Sequence, residues 1–592
     1  MTYIAPVADI AFALRHAAGL SEAQGRDLYG DLADDLLDAV LGEAGRFAGD
    51  VLAPLNVVGD RHGTLFRDGS ITTPPGWRQA YQDWIAGGWN AVAGPAAWGG
   101  QDLPQAVNAA CIEMWNAANM AFGLGPLLTM AGVEALSEHG SEALKRTYLA
   151  KLVSGEWMGT MQLTEPQAGS DVGALRTKAE RAADGTYRIT GQKIFITYGE
   201  HDFTDNIIHL VLARLPDGAP GTRGVSLFLV PKFLVNPDGS LGARNDVRAH
   251  SIEHKLGIHG APTCTMVYGD HGGATGFLVG EEHRGMACMF TMMNSARLAV
   301  GLQGVAIAER ATQQALAYAR ERRQGRAASG AASAASSPII AHPDVKRMLL
   351  TMRSLTRAAR AICYSTAVAL DRAKRSPDAA GREAAQERAS LLTPAAKAFA
   401  TDVGNAVASL GIQVHGGMGY IEETGAAQHL RDARIAAIYE GTNGIQAIDL
   451  VTRKLPLSGG GAVRAYLTEL RNTVDIVNAS NDPAFGSTGM LLKDALDSLE
   501  RATEWLNARS HQEAALAGAT PYLRLFSIAA GGTLLAREAL AARQLADGSD
   551  SAARMAIARF FAENVAVEAR GLERTVTEGA EGITGGDAAL AG

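Results

Sequence analysis

Three short stretches carry residue types and spacings that could do chemistry: Leu163–Asp171 (LTEPQAGSD), Gln413–Tyr420 (QVHGGMGY) and Ile438–Gln446 (IYEGTNGIQ). In the third, Glu440 is followed at once by Gly441 and Thr442, so its carboxylate can stand clear of neighbouring side chains. A glutamate taken alone is more often a solvated surface charge. Here the apolar run RIAAIYE leads directly into it, which implies a partly buried carboxylate. Burial disfavours the charged form, raises the pKa and makes a stronger base for a carbon acid. In the second stretch, three glycines in four positions let backbone lie against a phosphate or a ring, because no Cβ intervenes. The stretch is not a P-loop, since no Gly-Lys-Ser/Thr follows, nor the GxGxxG that follows a strand in dinucleotide folds. A helix cap and turn would account for one of these glycines. In the first stretch, Pro166 and Gly169 shape a loop whose amides and hydroxyls can line up on one polar ligand edge. An irregular turn entering a β region fits the same residues.

The elements around these stretches must position them. Residues 1 to about 158 read mainly as helix, with apolar residues at helical spacing over Glu22–Val51 and Leu103–Asn119 and a loop at GPAAWGGQDLP. Between about Gly159 and Gly280 the texture turns to strands, at Tyr187–Thr197, Ile207–Leu215, Gly224–Val230 and Thr263–Tyr268. A run of strands between helical regions predicts an α+β chain with a β domain inserted between α domains. Helical periodicity returns over Leu298–Arg322, Pro343–Ala373 and Leu391–Leu410. Gly325–Pro338, rich in Ala, Ser and Gly, reads as a flexible surface loop. Ser458–Gly461 marks a linker, and residues 462–592 form a further helical region whose tail, GITGGDAALAG, is expected to be disordered. The division is therefore an extension at 1–40, helical at 41–158, β at 159–282, helical at 283–457 and helical again at 462–592.

Composition narrows the function. The 592 residues are 47% hydrophobic and 20% charged, with a formal charge of −8, which gives no long-range attraction to nucleic acid or anionic membrane. Cys111, Cys264, Cys288 and Cys363 fit neither a CxxC pair nor a disulfide framework and read as reduced, buried thiols of a cytoplasmic protein. The first twenty residues do not read as a secretory leader, and no run of consecutive apolar residues is long enough to predict a membrane span. His254 and His259 lack metal-ligand spacing, so no metal is assigned, and His415 is left structural.

TEPxAGSD, QxxGGxGY followed by LRDAR, and IYEGTNxIQ, in this order and at these separations, resemble the acyl-CoA dehydrogenase family over roughly residues 40–455. GQKIFIT (191–197), EHKLGIHGAPTC (253–264) and Arg297–Arg322 agree. The resemblance implies an N-terminal α domain, a β-barrel-like middle domain and a four-helix-bundle domain, with FAD between the last two. It implies that Glu440 removes the pro-R α-proton of an acyl-CoA while the β-hydride passes to flavin N5, giving a trans-2-enoyl-CoA. A flavin ribityl hydroxyl and the Glu440 backbone N–H would polarise the thioester carbonyl. Met161, Leu163, Thr164 and Gly169 would lie by the flavin, and Ser170 near both flavin and CoA. Phe195 and Thr197 match the family's WIT segment, and Thr442 another FAD contact. Arg322 would reach the FAD of a neighbouring subunit, with Gln413, Gly416 and Gly417 on its ADP part. Asn294, Arg297 and Gly441 would bind the substrate. The implied partners are electron-transferring flavoprotein and a second copy of the chain in a homodimer.

Several positions depart from the family pattern. Phe195 replaces a Trp, Gln428 a basic residue and Gly444 a Glu or Gln, while Gln324-Gly325 shortens the ERxxFG segment. With the N-terminal YxAPVxDxxFxL stretch and the extra helical region, these resemble a larger subfamily about as long as this chain. That group includes methylthiopropionyl-CoA dehydrogenases and broad-range fatty acyl-CoA dehydrogenases. An acyl-CoA oxidase using oxygen and a silent acyl-CoA-binding protein are the alternatives, and the acyl chain is left open.

Overall fold

The structure, a computed structural model, describes residues 3–25, 28–30, 32–328, 336–509, 512–545 and 550–591. It opens with helices α1 (Val7–Phe12) and α2 (Asp34–Phe47). The single helix expected over Glu22–Val51 is divided, since a short helix ends at Gln24 and α2 starts at Asp34. Asp34 and Asp35 lie in the first turn of α2, where carboxylates complement the helix dipole. Helix α3 (Gln105–His139) runs well past the predicted end at Asn119. That end marks a kink: Asn119 leaves helical geometry at φ −158°, ψ 90°, and its Oδ1 accepts the Phe122 N–H at 3.1 Å. A small hairpin, β1 (Leu65–Arg67) with β2 (Ser70–Thr72), escaped the sequence reading because each strand is only three residues long.

The middle region is a β-barrel built on β3 (Met158–Gln162), β4 (Lys178–Arg181), β5 (Tyr187–Thr197), β6 (Ile207–Arg214) and β7 (Val225–Pro231). A minor ribbon pairs β8 (Phe233–Val235) with β9 (Leu241–Arg244), and β10 (Val247–Ile252), β11 (Thr263–Tyr268) and β12 (Ala274–Val279) complete the set. Strand β5 pairs with β12 and β4 through its first half and with β11 through its second. Because β4 also touches β6, and β6–β7–β12 are joined in turn, the sheet closes into a ring. Gly191 stands where β5 changes partners; its φ is +152°, and a Cβ there would lie 2.7 Å from Thr177 Oγ1. Ile189, Val211, Phe228 and Met266 fill the interior.

The chain then returns to helices α4 (Gly285–Glu321), α5 (Pro343–Arg375), α6 (Ala379–His415) and α7 (Ala426–Ala433), which form a bundle. α4 and α6 cross with their backbones in contact. A Cβ on Gly301 or Gly304 would collide with the carbonyls of Ala396 and Ala400, and one on Gly404 would lie 2.9 Å from the Gly304 carbonyl. After α8 (Asn443–Asp449) come α9 (Gly461–Ser480), α10 (Thr488–Asn507), α11 (Ala519–Gln544), α12 (Ser551–Asn564) and α13 (Ala569–Glu578). α11 packs on α5 and α6, so the extra region extends the helical core. α3 and α11 are long and apolar enough to cross a membrane, but in each 83% of the most apolar stretch is buried inside the protein, so both serve as core helices.

Two expectations change. The expected linker is a short helical turn with Ser458 in left-handed geometry and Gly460 buried, leading straight into α9. The tail expected to be disordered holds two exposed short helices, Ala580–Thr584 and Asp587–Leu590; its alanines favour helix even without burial. Residues 329–335 of the Ala/Ser-rich loop lie outside the described residues. Its base is zipped by Gln324 N–H to the Ser337 carbonyl (3.0 Å) and Ser337 N–H to the Gly325 carbonyl (2.8 Å).

Candidate active site

Glu440 sits on a turn that its sequence makes unusual. A short 3-10 segment, Arg434–Ala437, delivers the chain, and Glu440 then takes φ +57° and Gly441 φ +85°. A left-handed non-glycine residue is strained, and here it is held from several sides. Gln446 Nε2 donates to the Glu440 carbonyl at 3.2 Å, and Lys397 Nζ donates to the Gly441 carbonyl at 2.9 Å. Thr442 caps α8, its Oγ1 accepting the Ile445 N–H at 3.3 Å. A Cβ on residue 441 would lie 2.7 Å from Gln446 Nε2, which explains the glycine.

The carboxylate of Glu440 accepts no hydrogen bond from any described residue. Burial pushes it up to about 7, against the pull of Arg297 on α4 and Lys397 on α6. Arg297 is buried, with Nη1 3.8 Å from Asp449 and its Nε unpaired. Asn294, one turn earlier, is exposed. The neighbouring Tyr439 hydroxyl donates to Gln303. Sequence reasoning missed Lys397, Asn443 and Gln446. A signal for Lys397 was available: a lone cation within the apolar helical run LLTPAAKAFA.

A second group of expected residues gathers on the barrel. Lys193 and Glu165 form a buried ion pair at 2.8 Å, and Lys193 Nζ also donates to the Leu163 carbonyl at 3.0 Å. Glu165 further accepts the Thr177 hydroxyl (2.6 Å) and the Arg176 N–H (2.6 Å). Burial opposes its charge, yet Lys193 and these donors hold it down to about 2. The Glu of TEPQAGSD is thus the peg that fixes its loop. Ile194 N–H donates to the Thr164 carbonyl at 2.9 Å, bringing Leu163 and Thr164 to the Phe195–Thr197 segment. There β5 is not the plain strand expected. Between the pairs Met266↔Lys193 and Cys264↔Ile196 the register slips, giving a bulge with Phe195 at φ +59° and 59% exposed. Such a bulge re-aims a side chain off the sheet. The hydroxyls of Thr164, Ser170 and Thr197 have no partner among the described residues, and Gly169 opens on free space. Met161, on β3, is nearly buried in the helical core.

A third group stands elsewhere. Gln413, Gly416 and Gly417 are exposed at the end of α6, about 24 Å along the helix from Lys397 at 1.5 Å per residue. A Cβ on Gly416 or Gly417 would meet nothing within 4 Å, whereas on Gly419 it would collide with the Ile412 carbonyl. His415 stacks on Tyr318 at 4.4 Å, which joins this loop to the end of α4, where Arg322 is exposed. Gln428 is buried and donates to Asp432 at 3.2 Å, a structural use.

Four family models match in chain order. They are the acyl-CoA dehydrogenase N-terminal domain (38–156), middle domain (160–271) and C-terminal domain (283–455), and an acetyl-CoA dehydrogenase C-terminal-like domain (466–585). The chain is 46% identical over 584 residues to 3-methylmercaptopropionyl-CoA dehydrogenase of Ruegeria pomeroyi, covering 98% of each. An acyl-CoA dehydrogenase of Bacillus anthracis complexed with FAD shares the fold, with a TM-score of 0.74 and 20% identity over 94% of this chain and 90% of that one. A chain of the electron transferring flavoprotein structure of Acidaminococcus fermentans matches 71% of this chain and 98% of its own length, with a TM-score of 0.58 and 26% identity. The barrel between helical regions, the half-buried glutamate on its turn and these four domain matches lead to one conclusion: the chain belongs to the acyl-CoA dehydrogenase family, in its longer form with an extra C-terminal helical domain, and is an acyl-CoA dehydrogenase.

Proposed function

We propose that the enzyme dehydrogenates a short acyl-CoA, with 3-methylmercaptopropionyl-CoA as the leading candidate, to the trans-2-enoyl-CoA, using Glu440 as the base for the α-proton. The observation that carries this reading is the carboxylate itself, half-buried, without a hydrogen-bond donor among the described residues and raised to about 7. A base of this strength is half ionised near neutrality and matched to a weak carbon acid. The Glu440 backbone N–H donates to no described acceptor, so it is free to serve the thioester carbonyl oxygen. The buried guanidinium of Arg297 steadies the ionised carboxylate and the substrate beside it.

The barrel face fits FAD. Phe195 offers an exposed ring, Leu163 and Met161 offer apolar walls, and Thr164, Ser170, Thr197 and Thr442 offer hydroxyl protons. When bound, FAD supplies the acceptor for the β-hydride. Arg322, Gln413, Gly416 and Gly417 lie at the far end of the bundle from Glu440, which fits their serving the cofactor of a second copy in a homodimer. Exposed Met418 and Tyr420 beside them fit such an interface. In this reading the electron acceptor is electron-transferring flavoprotein, the compartment is the cytoplasm, and the chain is divided into an N-terminal extension, an α domain, a β domain, a helical domain carrying Glu440 and a further helical domain. The test is flavin bleaching under anaerobic acyl-CoA. Glu440→Gln should keep its yellow cofactor and lose bleaching; retained bleaching would remove Glu440 as the base. A panel of acyl-CoAs of rising length fixes the chain, and oxygen uptake without another acceptor would mark an oxidase instead.

A further inference from the structure

The α4–α6 crossing brings a lysine to the Glu440 turn that the reaction as described does not use. Lys397 is fully buried, and its ammonium donates to two neutral acceptors, the Gly441 carbonyl and Asn443 Oδ1, each at 2.9 Å. It has no carboxylate of a described residue within 4.0 Å, and one of its three protons lacks a described acceptor. A buried cation without an ion-pair partner is costly, and clamping a loop could be done by a neutral donor. Asn443 is itself held by Thr401, by Asp402 (2.7 Å) and by the Ala398 carbonyl (3.1 Å), so the clamp is anchored on α6. We propose that Lys397 is a positioning residue for the dehydrogenation: it fixes the left-handed Glu440–Gly441 turn through the Gly441 carbonyl and Asn443, and it places a cation beside the base.

This inference rests on Glu440 being the base. The charged groups acting on Glu440 are Arg297 from α4 and Lys397 from α6, and Glu440 in turn raises the neighbouring Tyr439 phenol. Those acting on Lys397 are Glu440, Asp402 and Arg297: burial pushes the lysine down, and the two carboxylates work to keep it charged. Removing the cation takes away one of the two charges that, among the described residues, favour ionised Glu440.

The experiment uses full-length, FAD-loaded enzyme with butyryl-CoA as the probe, following flavin bleaching across the neutral pH range. Lys397→Met should move the pH midpoint of bleaching upward by about one unit or more, with little change in the butyryl-CoA concentration needed for half-saturation. Lys397→Arg, which keeps the charge, should hold the midpoint while bleaching more slowly. Asn443→Ala, which loosens the clamp and leaves the lysine, should slow bleaching at every pH. A wild-type midpoint in an FAD-loaded Lys397→Met enzyme overturns the proposal. If that variant does not fold, wild-type rates in both Lys397→Arg and Asn443→Ala overturn it instead. Failure of the Glu440 assignment is separately visible as bleaching that survives in Glu440→Gln.

Discussion

At the scale of single residues, the proposed chemistry turns on how the protein makes one carboxylate basic. Removal from water is the largest influence on Glu440, and Arg297 and Lys397 only moderate it. Proton abstraction needs the ionised form, so the bleaching rate should rise with pH through about 7 and level off above it. Stopped-flow traces across that range check the sign. Glu440→Asp keeps the charge but draws the carboxylate back, and misplacement on the order of 1 Å should slow bleaching about 100-fold. Phe195 makes the opposite kind of prediction. Its ring is exposed on a backbone at φ +59°, so Phe195→Gly should relieve about 1 kcal/mol of strain and raise the melting temperature of the FAD-free protein. The same change should weaken FAD binding, read by fluorescence on titration. Stabilisation without lost affinity would show that the bulge does not serve the cofactor.

At the scale of elements, turns rather than regular structure aim the functional side chains. Most of the long helices and four barrel strands, the three longest among them, could be read from periodicity and β-branched runs, and Thr263–Tyr268 agrees end to end. The β5 bulge could not, because YRITGQKIFIT alternates like a straight strand and only its pairing with β11 reveals the slip. The Glu440 turn was half legible: Gly441 and Thr442 announced a turn and a cap, but the clamp from Lys397 lies 44 residues away in sequence. Gly441→Ala should therefore cost about 1–3 kcal/mol, since the left-handed backbone is strained for alanine and Gln446 must move. Urea unfolding measures that loss, and bleaching should fall with it.

At the scale of the whole molecule, a buried charge network ties the first helix to the extra C-terminal helices. Asp9 on α1 meets Arg357 on α5 at 2.5 Å and Arg554 on α12 at 2.8 Å, and Arg554 also pairs with Glu538 on α11. Beside it Arg360 joins Glu113 on α3 (2.6 Å) and Glu309 on α4 (2.8 Å). Removing one partner of a buried pair strands the other charge, so Arg554→Met should destabilise by about 3–5 kcal/mol, seen as a lower melting temperature. Burial raises the Asp9 carboxyl, but Arg357 foremost and Arg554 outweigh it and hold it below its ordinary value of 3.8. Its contribution is thus full above 3.8 and lost as pH falls through the depressed value. Asp9→Asn should flatten the acid side of the stability profile, which thermal melts at a series of pH values will show.

The sequence by itself determined the order of helical and β regions, the three motifs and the residue proposed as the base. Those depend on local periodicity, on turn chemistry and on residues adjacent in the chain. Only the tertiary structure decided that the TEPQAGSD glutamate is a structural peg on Lys193, that Phe195 is turned out on a bulge, and that Lys397 stands beside Glu440. It also decided that α3 and α11 are core helices. Each of these is set by a partner far away in sequence, through pairing register, close helix crossing or burial, and no local pattern encodes the partner.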